Sequence, residues 1–166
     1  FFYNESMERQ RAVHTLDLFK DENSRILILG SFPSIQSRGQ NFYYMNKTNR
    51  FYQVLSALYG EDFYSVSVER KKELLRKHRI ALFDVVTECE ISLSSDSSLK
   101  PIAYLNLAEV TKDTKIERIF INGNKAYALF VRRYPDVKVG KLPSTSSANA
   151  RMRLDDLIRE WKAILG

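Results

Sequence analysis

One cysteine, two histidines and no long apolar run set the first limits on this 166-residue chain. Cys89 has no partner for an internal disulfide, and a lone thiol falls short of the set of thiolates that ordinarily holds an iron–sulfur cluster. A reducing, cytoplasmic setting follows as the expectation. His14 and His78 stand far apart, and with one Cys they make no metal-ligand pattern, so neither a metal nor any other cofactor is expected and neither His is assigned a role. No stretch approaches the roughly 20 apolar residues of a membrane span, and no charged-then-apolar leader opens the chain, so no membrane contact is expected. Neither Gly-x-x-x-x-Gly-Lys nor Gly-x-Gly-x-x-Gly occurs, which leaves an unrelated nucleotide- or phosphate-binding enzyme without its usual signature.

What is present fits a single soluble domain spanning residues 1–166, with the polar segment 1–23 read as a helical arm or a frayed terminus. The net charge of +6 and pI near 9.4 suit an anionic partner such as nucleic acid. Arg25 to Gly30 is a continuous apolar run closed by Gly, the pattern of a strand buried on both faces. Ile80–Phe83, Ile119–Ile121 and Val137–Val139 repeat it more weakly. Between them, Phe51/Val54/Leu55/Leu58, Tyr127/Phe130/Val131/Tyr134 and Leu154/Leu157/Ile158/Trp161 follow helical spacing, and Ser67 N-caps a further helix beginning at Val68. Strands alternating with amphipathic helices predict a three-layer α/β/α fold around a mainly parallel sheet of four or five strands. Ser92 to Pro101 has no periodicity and reads as a loop, and the Lys and Arg residues of 69–79 read as a solvated helix face.

In an open parallel sheet, ligands bind beyond the carboxyl ends of the strands, and several chemistry-bearing residues fall there. Gly30-Ser31-Phe32-Pro33-Ser34 reads by itself as a strand-ending turn, stiffened by Pro33 and with Ser34 as a cap. Asn49 precedes Phe51–Leu55 and suits a helix N-cap, a role that holds a side chain rigid for chemistry as well. Asp84 ends a buried strand, where a carboxylate needs a hydrogen-bond partner or the mouth of a site. Leu142 to Ala150 offers hydroxyls and backbone amides fit for phosphate, or merely Ser146 or Ser147 capping the last helix. Asn122-Gly123 reads as a scaffold turn.

Taken in order, Gly30–Ser34, Tyr43-Tyr44 through Asn49-Arg50-Phe51-Tyr52, Asp84 and Leu142–Ala150 resemble the uracil-DNA glycosylase superfamily, and within it the hypoxanthine (deoxyinosine) DNA glycosylase branch. The resemblance runs from about Leu16 to Trp161. Two departures stand out: Asn46-Lys47 replaces a usual His-Pro, and Tyr52 replaces a usual Trp. The resemblance implies base-binding roles for Gly30, Ser31, Phe32, Pro33, Tyr43, Tyr44 and Asp84, with Phe32 stacking on the base and Asp84 accepting its N–H. It implies Asn49 as the catalytic residue and Ser144, Thr145, Ser146, Asn149 and Arg151 as the lesion loop that grips phosphate. The expected activity is hydrolysis of the N-glycosidic bond of a flipped deaminated base, hypoxanthine or else uracil or xanthine, by a monofunctional, monomeric enzyme. Its expected partner is DNA of the nucleoid, double- or single-stranded, and its product an abasic site. A uracil-specific enzyme and a non-catalytic DNA-binding module of the same fold are the alternatives.

Overall fold

The computed structural model describes residues 9–92 and 95–166. The first part of the expected arm, and part of the 92–101 segment, lie outside the described residues. The elements in chain order are β1 (Arg9–Val13), β2 (Ile26–Gly30), α1 (Ile35–Gln40), α2 (Phe51–Tyr59), α3 (Val68–Lys77), β3 (Ile80–Asp84) and β4 (Val86–Ser92). They continue as β5 (Ser95–Tyr104), α4 (Leu107–Thr111), β6 (Arg118–Asn122), α5 (Asn124–Arg133), β7 (Gly140–Leu142) and α6 (Leu154–Trp161), with a short 3-10 turn closing the chain.

Four parallel strands form the central sheet in the order β3-β2-β6-β7. The chain leaves β2 for one neighbour, β3, and later returns to the other, β6, so the strand order reverses between β2 and β6 and opens a crevice at their carboxyl ends. β2 is buried throughout, and its side chains alternate between two cores. Ile26 and Ile28 face a layer that includes Phe51, Leu55, Leu74, Leu157 and Trp161 of α2, α3 and α6. Leu27 and Leu29 face Leu129 and Phe130 of α5, Val110 of α4 and Cys89 of β4. Apolar residues on both faces are what made this strand read as one unbroken run.

A second, antiparallel sheet, β1-β4-β5, lies outside the expected plan. Residues 9–13 are no helical arm: they pair with β4 from Arg9↔Ser92 to Val13↔Glu88. Phe19 then bridges to Leu82, tying the segment after β1 to the edge of the parallel sheet. The predicted 92–101 loop is largely β5, paired with β4 through a bulged register. The last strand sits at Gly140–Leu142 rather than 137–139. Ser67 does cap its helix, accepting from Arg70 N–H, but Lys71 of that helix is no solvated cation. It is buried, donates to the Tyr64 and Val66 carbonyls, and lies over the Tyr52 ring.

Candidate active site

β2 and β3 end in register, Gly30 beside Asp84, and this pair floors a cavity of about 440 Å3. A Cβ on Gly30 would stand 2.6 Å from Asp84 Oδ1 and 3.1 Å from Tyr44 Oη, so glycine is what lets both polar atoms approach the strand end. Asp84 is 3% exposed. Its Oδ2 lies 2.9 Å from His14 Nε2, with the imidazole as donor to a carboxylate that offers only lone pairs. Burial raises the Asp84 carboxyl above the usual range, and the hydrogen bond and charge of His14 pull it partly back.

His14 follows β1 and its backbone N–H donates to the Thr87 carbonyl. Its ring packs against Phe83, Phe32 and Tyr43, with its side chain 4% exposed. Sequence reasoning assigned it no role. Residues 14 and 84 meet because β1 pairs with β4, and no local periodicity discloses that register.

Both tyrosines line the cavity. Tyr43 is committed elsewhere, its hydroxyl donating to the Asp17 carbonyl at 2.8 Å. Tyr44 takes a left-handed backbone conformation, φ 59°, and stacks on Phe51 at 4.0 Å between centroids. Its hydroxyl is buried without a hydrogen-bond partner. Burial, then the charge of Asp84, raises both phenols well above their ordinary value. Asn122 comes near enough to Tyr44 to offset a little of that rise, but without well-formed hydrogen-bond geometry.

Ser31, Phe32 and Pro33 continue the wall toward the mouth, where the Arg38 guanidinium sits 5.5 Å from the Phe32 ring centre and Ile35 is 73% exposed. Ser34 also fills the plain role read from sequence, capping α1 by accepting from Ser37 N–H.

The opposite wall is a relay. Asn122 Nδ2 donates to Thr145 Oγ1, whose hydroxyl donates to Asn49 Oδ1 at 2.8 Å, while Thr145 N–H returns to Asn122 Oδ1. Asn49 Oδ1 also accepts from Phe51 N–H at 2.9 Å, so Asn49 steadies the start of α2 although Arg50 occupies the formal N-cap position. With two donors on its oxygen, the Asn49 amide cannot turn over without setting NH2 against N–H, and its Nδ2 hydrogens are left for the cavity. Asn122, read from sequence as scaffold, is therefore part of the site.

Arg50 holds the second loop from the same place. Its backbone N–H and Nε donate to Thr145 O, its Nη2 to Ser146 O and Asn149 O, and its Nη1 to Met152 O. Ser144 and Ser146 line the cavity with Thr145. Asn149 and Arg151 do not: the Asn149 amide donates to Ser144 O, and Arg151 is exposed beyond the rim. Neither Ser146 nor Ser147 caps the last helix, which starts instead at Arg153, whose backbone N–H donates to Asp156 Oδ2. Among the described residues no three His, Cys, Asp or Glu side chains gather in a way that could hold a metal ion, and no helix is long and apolar enough to cross a membrane.

No protein-family model matches the chain. Its structure is similar to the solution NMR structure of a Methanosarcina acetivorans protein named as a candidate uracil DNA glycosylase, with a TM-score of 0.76 and 30% identity over 93% of this chain and 96% of that one. The parallel sheet with a cavity at its carboxyl edge is thus the fold of a uracil-DNA-glycosylase-like DNA glycosylase. Two curated relatives, from Methanosarcina acetivorans and Methanosarcina barkeri, are each named hypoxanthine DNA glycosylase. The first is 35% identical over 87% of this chain and 92% of its own length, the second 32% over 79% and 84%. The chain belongs to the hypoxanthine DNA glycosylase family.

Proposed function

We propose that this DNA glycosylase excises hypoxanthine from DNA as a monofunctional hydrolase, flipping the nucleotide into the crevice between β2 and β6 and leaving an abasic site. The observation that carries the reading is the pairing of a buried carboxylate at the floor with an amide immobilised across from it, Asp84 and Asn49. The names of the curated relatives support hypoxanthine as the first substrate. Uracil carries the same N–H beside a carbonyl and is the second substrate to test.

A base inside a duplex is out of reach, so flipping must come first, at about a few kcal/mol, least for a mispaired base. Asn49 offers N–H donors that can hold a water by one lone pair while another faces the sugar. It cannot take the water's proton. Ser31–Ser34 supplies no carboxylate general base either, so bond breaking leads, water follows onto an oxocarbenium-like sugar, and the water's proton passes to the departing base or to solvent. Asp84 holds the base by its N–H, and Phe32 is the aromatic face at the rim.

Around the lesion, the hydroxyls and amides of Ser144–Ser147 grip phosphate, with Lys47 and Arg151 as exposed cations. That loop carries no large apolar side chain to fill the gap left by the flipped nucleotide. Ile35, at the mouth, has the size and exposure to do so. In this reading residues 1–166 act as one domain and as a monomer, in the cytoplasm, on the DNA of the nucleoid.

The test is base release from duplexes holding one deoxyinosine or one deoxyuridine, with alkali to reveal abasic sites, for wild type and Asn49→Ala. Release from deoxyinosine is expected, falling by about 100-fold or more in the variant. Strand breaks before alkali would overturn the monofunctional assignment. Binding without release from either duplex would favour a non-catalytic module.

A further inference from the structure

We infer that Tyr44 and His14 set base selection in this cavity: the Tyr44 hydroxyl donates to a base carbonyl while Asp84 Oδ1, its carboxylate held by His14 through Oδ2, accepts the neighbouring N–H. The inference rests on the glycosylase reading and deepens it by naming the edge of the base that is read.

The geometry begins at Gly30. Asp84 Oδ1 and Tyr44 Oη converge on the space its missing Cβ would fill, 2.6 Å and 3.1 Å from it, yet no hydrogen bond joins them to each other. Each is left with unused capacity facing the same cavity. Asp84 has its other oxygen engaged by His14. Tyr44 has its hydroxyl buried and unpartnered, an arrangement that is costly unless a ligand completes it. Asn122 does not quench that O–H: its oxygen accepts from Thr145 N–H, one amide hydrogen goes to Thr145 Oγ1, and an approach of the other to Tyr44 Oη uses the phenol oxygen as acceptor and leaves its hydrogen free to donate. An aromatic residue in the left-handed region is itself uncommon, and the Phe51 stack holds Tyr44 there. Residues kept in such positions mark sites where placement serves function rather than stability.

A donor beside an acceptor matches the –NH–C(=O)– edge of hypoxanthine or uracil. Adenine and cytosine present the reverse, a ring-nitrogen acceptor beside an amino donor. The glycosidic bond fixes which edge atom meets which side chain, so the parent bases set a ring-nitrogen lone pair against the Asp84 carboxylate, a repulsion that turning the Tyr44 hydroxyl to accept from the amino group does not relieve. The pair therefore separates a deaminated base from its parent.

His14 enters through its hydrogen bond to Asp84 Oδ2. The other titratable and charged groups around Asp84 and His14 are Tyr43 and Tyr44 from the segment before α2, Asp17 beyond β1, Glu88 of β4, which is itself paired with Arg11, and Arg38 of α1 and Lys125 of α5 on the lining of the same cavity. His14 is the group that hydrogen-bonds the Asp84 carboxylate and favours it. Without it, burial acts unopposed, the carboxyl stays protonated to higher pH, and the acceptor is lost as pH falls earlier in the titration.

Single-turnover base release from a deoxyinosine duplex, measured from about pH 5 to about pH 9, tests both halves. Tyr44→Phe is expected to slow release by about 10- to 100-fold at every pH, with affinity for undamaged duplex unchanged. His14→Phe should move the acid limb to higher pH, with the rate recovering at the alkaline end, and His14→Gln, which keeps an N–H, should move it less. Wild-type rates in Tyr44→Phe, or a pH-independent loss in the His14 variants, would overturn the inference. Should His14→Phe not fold, as judged by circular dichroism, Tyr44→Phe and His14→Gln decide it. Absence of release by wild type is the separate outcome that removes the glycosylase reading and this inference with it.

Discussion

Two residues with no reactive group govern how the reactive ones stand. At Gly30, a methyl would meet Asp84 Oδ1 at 2.6 Å, and the carboxylate or Tyr44 would have to move. Gly30→Ala is therefore expected to cut kcat/KM for base release by about 100-fold while the melting temperature moves by only a few degrees, since the strand backbone tolerates Ala. A large loss of stability with activity retained would show that the glycine serves packing instead. Thr145, fully buried, passes the Asn122 hydrogen bond on to Asn49. Thr145→Val keeps the volume and removes the relay, freeing the Asn49 amide to turn; about a 10-fold loss in the chemical step is expected, restored by Thr145→Ser. Single-turnover rates separate that loss from weakened DNA binding.

At the scale of elements, the site is assembled by β2, the start of α2 and the loop after β7, and Arg50 is the fastener between the last two. A planar guanidinium reaching Thr145, Ser146, Asn149 and Met152 carbonyls cannot be replaced by a point charge. In Arg50→Lys, amides of residues 144–152 should exchange with solvent about 10-fold faster or more, while those of β2 keep their protection. Hydrogen exchange resolved by segment checks this, and equal protection in both proteins would mean the loop holds itself. The elements that sequence disclosed are the ones with a local signature. β2 is apolar on both faces, α2, α5 and α6 carry one apolar stripe, and Gly30, Asn49, Asp84 and Thr145 fall in motifs at element ends. The antiparallel sheet was hidden because β1 reads Arg-Gln-Arg-Ala-Val, with no polar–apolar alternation, and β5 begins in Ser-Asp-Ser-Ser, a composition typical of turns. Pairing partners some eighty residues apart leave no periodic trace, so the His14–Asp84 contact was beyond reach even though both residues were in view.

For the molecule as a whole, a net charge of +6 and a cavity rimmed by Arg38 and Lys125 favour association with DNA of any sequence, and that part of binding comes from counterion release. Affinity for undamaged duplex should fall by about 10-fold or more as salt rises from about 50 to about 200 mM. Excision demands something that charge does not supply, because a flipped nucleotide leaves a gap that closes again unless a side chain fills it. Ile35 is the candidate: 73% exposed at the first position of α1, beside the cavity and next to the Phe32–Pro33 turn. Its effect must depend on the form of the substrate, since single-stranded DNA has no stack to invade. Ile35→Ala is expected to slow release of hypoxanthine from duplex by about 10-fold, to leave release from the same sequence as a single strand unchanged, and to leave the salt slope of binding unchanged. Fluorescence of a 2-aminopurine placed next to the lesion reads the flipped population directly and should fall with the duplex rate. Equal losses on duplex and single strand would assign Ile35 to the cavity wall and remove it from the gap.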